Sequence, residues 1–330
     1  MSEGNQPKEA EYWEEAQRHL RRLNPLSALF TTCIRALNAN EAENGVANKT
    51  GLNSSARTAL SRLLASPTVT AHLYYLTKTL YPGRISNEKK ASPEQIAEGY
   101  TPSELAVVLS IAYIYRILKK KIEPDQWQLF AVPMRKAIAL GTLLGTSIPS
   151  IGLARGALTG ALRYFAWGLF TTADKDKMKK YRVNLRVKKA MCSLEMEIED
   201  WHTTHAHVGS LILQTFGFGI EGAGSYLNGL IKPLDKVSEI EQKFRVTQLW
   251  IDSLLLTGAP PTESIGDSYS LDDNLVEAFV SSVQAIAEEE DYDRWLDKSR
   301  SDLGPEKSPE LEYNYASITK TFGASKSADD

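Results

Sequence analysis

The chain has 330 residues, 42% hydrophobic and 24% charged, the usage of an ordinary globular protein long enough for one large or two modest cores. A net charge of -3 gives no overall attraction to nucleic acid or to an anionic membrane, so a polyanion would have to be held by a local patch. Two cysteines, Cys33 and Cys192, are too few and too far apart for a zinc ribbon or a disulfide scaffold, and the charged first 22 residues lack the apolar core of a secretion signal; both lead us to expect a reducing, cytoplasmic setting.

Helical periodicity runs along the chain with almost no alternating strand pattern, so an all-α fold is expected. Residues 8–38 read as one or two amphipathic helices interrupted near Asn24-Pro25, and residues 38–55 as polar turn chemistry. Residues 56–80 are helical on both sides of Ser66-Pro67, where the proline suits the first turn of a new helix. Ser92-Pro93-Glu94-Gln95 and Thr101-Pro102-Ser103-Glu104 both have the form of a capping box. The second leads into an apolar helix over 105–118, closed by Lys119, Lys120 and Lys121 at the negative end of its dipole.

Residues 137–154 carry no charge over nearly the length that crosses a bilayer. Their content of Thr142, Thr146, Ser147, Pro149, Ser150 and three glycines, between Arg135-Lys136 and Arg155, argues against a membrane and predicts two buried helices with a break at Pro149. Lys175–Lys189 then brings eight cations in fifteen residues, diluted by Asp174 and Asp176 and interleaved with Val183, Leu185 and Val187. The plain reading is a solvated face, and nucleic acid would need a whole basic face. The functional reading is a contact for an acidic protein partner or an anionic small ligand through Lys179, Lys180, Arg182 and Arg186, exposed together with the acidic helix start at residues 195–200.

Between Glu197 and Gly209 lie three of the five histidines, within six positions. On one helix His202 and His205 would share a face, whereas His205 and His207 would diverge by about 200°. An apolar run to Phe216, stopped by Gly217 and Gly219, predicts a buried helix with His205 as a hydrogen-bonded core residue and with His202 and His207 at the surface. No cofactor is expected; a divalent metal on Asp200, His202 and His205 is the alternative. Residues 240–256 and 271–296 predict two further helices, and the polar chain from Lys298 onward a disordered tail. There is no glycine-rich phosphate loop, no Gly-x-Ser-x-Gly and no repeat, and Glu288–Asp291 reads as a solvated acidic run.

Three places resemble the HDOD family, the HD-related output domains of bacterial signalling proteins. The segment from Leu60 through Ser66-Pro67 to Lys78-Thr79 is similar to the family's Asp-Pro-x-Leu turn and the helix ending in Asn-Ser. Gly156–Leu169 is similar to the Leu-Leu-His-Asp-Ile-Gly helix, with Arg163-Tyr164 in place of the His-Asp doublet. Glu199–Phe218 resembles the Gly-x-x-His-x-x-x-Gly-x-x-Leu helix, with His205 and Gly209 aligned, and the later His-His is replaced in the neighbourhood of Tyr226.

The resemblance implies an HD/HDOD-like helical bundle with an N-terminal subdomain over 1–135, a degenerate HD-like subdomain over 136–297 and the tail 298–330. It also implies a non-enzymatic signalling or regulatory module that binds a protein partner or an anionic ligand. Active HD phosphohydrolases hold a metal with the doublet, further histidines and a later aspartate, which Asp252 matches here. Arg163 has no lone pair to give and a neutral Tyr164 is a poor ligand. The alternatives are a metal-dependent phosphohydrolase with an unorthodox site at Asp200, His202, His205 and Asp252, and a membrane-associated protein using residues 137–172.

Overall fold

The computed structural model describes residues 9–24, 26–44, 52–80, 93–148, 150–261 and 277. Among them the fold is all-α, with no strand. The expected helix over 271–296, apart from Glu277, and the expected tail lie outside the described residues, as do Pro25, Ser92 and Pro149. In chain order the helices are α1 (Glu9–Leu20), α2 (Ala28–Asn44), α3 (Ser54–Leu64), α4 (Pro67–Leu80), α5 (Pro93–Glu98), α6 (Pro102–Lys121), α7 (Pro124–Ser147), α8 (Leu153–Ala173), α9 (Lys175–Lys188), α10 (Leu194–Trp201), α11 (His205–Thr215), α12 (Ile220–Ile231) and α13 (Glu239–Thr257).

The chain divides into two compact units, Met1–Leu26 with Ile114–Ala287 and Ser27–Tyr113 with Glu288–Asp330. The division falls between Tyr113 and Ile114 inside α6, and α1 groups with the later helices. Within the smaller unit, Leu60, Leu63, Leu73, Leu76 and Ile96 are buried, Phe30 stacks on Tyr113 with centroids 3.9 Å apart, and the Tyr100 hydroxyl donates to Thr77 Oγ1 at 2.8 Å. The start of α6 is the reciprocal cap expected of its sequence: Thr101 N donates to Glu104 Oε2 at 2.9 Å and Glu104 N donates to Thr101 Oγ1 at 3.3 Å. α2 continues to Asn44, further than the polar composition of residues 38–55 suggested.

The larger unit is organised around α8, which is buried on nearly every side and packs on α1, α7, α9, α11 and α13. Gly152, just before α8, takes φ 76°, open to glycine without strain. Four glycines let the two backbones meet. A Cβ on Gly141 would stand 2.1 Å from the Gly156 carbonyl oxygen, and one on Gly156 would stand 2.0 Å from that of Gly141; one on Gly160 would stand 2.1 Å from the Ala137 carbonyl oxygen and one on Gly145 2.4 Å from that of Gly152. Pro124–Ser147 is one helix long and apolar enough to cross a membrane by length and composition, and 67% of its apolar window is buried inside the protein. The glycines of this segment thus serve helix-to-helix contact.

Candidate functional site

Two polar clusters lie on α8, one turn apart. In the first, Arg163 is 2% exposed and forms a two-pronged pair with Asp252 of α13: Nη1 to Oδ1 at 2.6 Å and Nη2 to Oδ2 at 2.8 Å. Gln248, one turn earlier on α13, donates Nε2 to the same Oδ1 at 2.9 Å. Burial alone would favour a neutral guanidine, but the Asp252 carboxylate outweighs it and holds Arg163 charged, well above its ordinary range. The guanidinium also sits 5.8 Å from the Trp167 ring centroid.

The second cluster is built around Glu197 of α10, which is completely buried. Its Oε1 accepts from Trp167 Nε1 at 2.8 Å and from the Tyr181 hydroxyl at 2.9 Å, and its Oε2 accepts from the His205 backbone N–H at 2.7 Å. His205 Nδ1 lies 2.9 Å from both oxygens. Burial pushes the carboxyl up, but the His205 ring and these hydrogen bonds more than offset it and leave Glu197 below its ordinary value. An ionised carboxylate only accepts, so His205 Nδ1 carries the proton between them. Glu197 thereby occupies the positive end of α11, where an anion is favoured. Tyr181 extends the chain by accepting from Ser193 N at 3.1 Å, at the residue that caps α10.

The local fold explains why the histidines part. α10 stops at Trp201, and His202 takes the left-handed conformation with φ 53° and ψ 24°. Thr204 then caps α11. The expected i,i+3 face of His202 and His205 does not form because the two belong to different elements: His202 is exposed and His205 is 1% exposed. His207, expected at the surface, is buried. Its Nδ1 lies 2.8 Å from Thr204 Oγ1 and its ring meets the edge of Trp13 at 5.1 Å. Burial, then the neighbouring His205 charge, lowers its pKa to about 4. The acidic helix start is likewise split, with Glu195 and Glu199 exposed and Glu197 at the centre of the core.

The residues weighed as a metal set are not gathered. His205 faces Glu197, Asp252 faces Arg163 and Gln248, His202 faces solvent, and the Asp200 carbonyl accepts from Lys177 Nζ at 2.7 Å. Among the described residues no three His, Cys, Asp or Glu side chains converge as a metal would require. Tyr164 is buried, its phenol pushed up by that burial, and its ring packs at 5.4 Å from Trp167 and 6.0 Å from Phe130. Tyr226 lies where Gly209 leaves room, since a Cβ there would stand 2.5 Å from its ring. Of the basic residues, Lys179, Lys180 and Arg186 are exposed, while Arg182 is half-buried and donates Nη2 to the Leu129 carbonyl at 2.8 Å.

Glu197, Trp167 and Tyr181 were missed by reasoning from sequence. The available signal was spacing: Glu197 and Trp201 are i,i+4 partners on the buried side of α10. Compared with described protein families, with curated proteins and with solved structures, the chain finds no match.

Proposed function

We propose that the protein is a non-enzymatic regulatory module of the HDOD type, which acts by binding a protein partner. The observation that carries this reading is the Arg163–Asp252 pair. By the resemblance, Arg163 stands at the metal doublet and Asp252 at the later aspartate. A guanidinium that takes both carboxylate oxygens leaves Asp252 little capacity for a metal and supplies no ligand of its own. The cation that an HD phosphohydrolase would borrow from solution is here part of the chain. It can brace α8 against α13, but it cannot lower the pKa of a bound water as a metal does.

Tyr226, in the neighbourhood of the missing later histidines, supports the same reading, because its packed ring fills space beside α11 that a catalytic pocket would keep open. The test is hydrolysis by the purified full-length chain, supplied with manganese, magnesium or zinc, of nucleoside mono-, di- and triphosphates and of cyclic dinucleotides. We expect no turnover above the metal-only blank. Turnover abolished by Asp252→Asn would replace the regulatory reading with the enzymatic one.

A further inference from the structure

We propose that the outward face of α9 is a docking surface for an acidic amphipathic helix of a partner protein. The proposal rests on the regulatory reading above and specifies the partner's chemistry. Lys179, Lys180, Val183, Arg186 and Val187 fall on one stripe at helical spacing, and all five are exposed. Val183 is 50% exposed and Val187, one turn on, 78%. Leu129 of α7, whose carbonyl holds Arg182, is 54% exposed and adds a third aliphatic beside the helix.

The cations that fix α9 to the domain are different ones. Lys175 pairs with Glu123 at 2.9 Å, Lys177 reaches the Asp200 carbonyl and Arg182 the Leu129 carbonyl. Lys179, Lys180 and Arg186 are therefore not needed to hold the helix, and they surround the two valines with positive charge. A partner helix with Asp and Glu on its flanks and leucines at three- and four-residue spacing would satisfy both features at once, with its apolar seam on the aliphatics and its carboxylates on the cations.

A membrane surface fits less well. Interfacial helices use large Trp, Phe or Leu anchors, whereas the exposed stripe of α9 offers two valines. Duplex nucleic acid would use the cations and leave the valines in water.

The probe is a fluorescein-labelled synthetic peptide of about 15 residues, enough for four helical turns, with leucines at three- and four-residue spacing and glutamate elsewhere. Its anisotropy is followed on titration with the full-length protein. We expect saturable binding that weakens as salt is raised, a loss of about tenfold or more for the Lys179→Glu, Lys180→Glu, Arg186→Glu triple variant, and a loss of about threefold to tenfold for Val183→Ser with Val187→Ser, which leaves the charge unchanged. Circular dichroism of each variant checks its fold, and Val187→Ser alone, at the most exposed position, gives a second reading of the apolar contribution.

No binding overturns the proposal. So does equal binding of a peptide with serine in place of leucine, or tighter binding of phosphatidylserine vesicles or duplex DNA through the same cations. Failure here without hydrolytic activity removes this surface and leaves the regulatory reading standing. Metal-dependent hydrolysis would remove that reading whatever the peptide does.

Discussion

Glu197 concentrates the physical chemistry of this protein at the residue scale. A carboxylate at zero exposure is tolerated only because every acceptor position is met, by an indole, a phenol, a backbone amide and an imidazole drawn from three helices, α8, α9 and α11. Glu197→Leu leaves three buried donors and the His205 ring without their acceptor, and we expect a loss of about 3–5 kcal/mol in urea unfolding, the range for breaking one side of a buried pair. Arg163→Met should cost a similar amount through the orphaned Asp252, and adding Asp252→Leu should restore about 1–4 kcal/mol, because removing both charges also removes their desolvation.

His207 gives the pH dependence a sign. Its folded pKa of about 4 lies below its ordinary 6.5, so between these values the unfolded chain binds more protons than the folded one. This contribution to stability is complete above 6.5 and is lost as pH falls through about 4. His19, lowered to about 4 by burial and Arg22, acts in the same direction. We expect the urea midpoint to fall as pH drops across this window, and a fold-competent His207→Gln variant to show a shallower fall. Sequence reasoning identified His205 as a hydrogen-bonded core residue from its apolar helix. It misplaced His207 because a continuous helix through His202 was assumed, and a left-handed residue at His202 resets the angular position of everything that follows.

At the scale of elements, capping chemistry and periodicity were legible, and close packing was only partly so. Thr101-Pro102-Ser103-Glu104 specified the start of α6 to the residue, because a cap is written in adjacent side chains. The glycines of residues 137–154 were legible as a reason to doubt a membrane span, but their use depends on α8 lying against α7, which no local pattern states. Gly156→Ala would force a Cβ into the Gly141 carbonyl, and we expect a loss of about 1–3 kcal/mol or more by overpacking. Gly222 in α12 has nothing within 4 Å of where its Cβ would go, so Gly222→Ala should stabilise by about 0.4–1 kcal/mol. Thermal melts of the two variants should therefore shift in opposite directions.

For the whole molecule, the all-α class followed from the 3.6-residue pattern. The HDOD resemblance put Arg163 and Asp252 at related positions, but only the fold brings residues 89 apart in sequence into a two-pronged pair. On our proposal this pair takes the place that a metal would hold. We would titrate manganese into the metal-stripped full-length protein and follow the free ion by electron paramagnetic resonance. The wild-type chain should show no stoichiometric binding, whereas about one manganese per chain, lost in Asp252→Asn and in His205→Ala, would overturn the proposal.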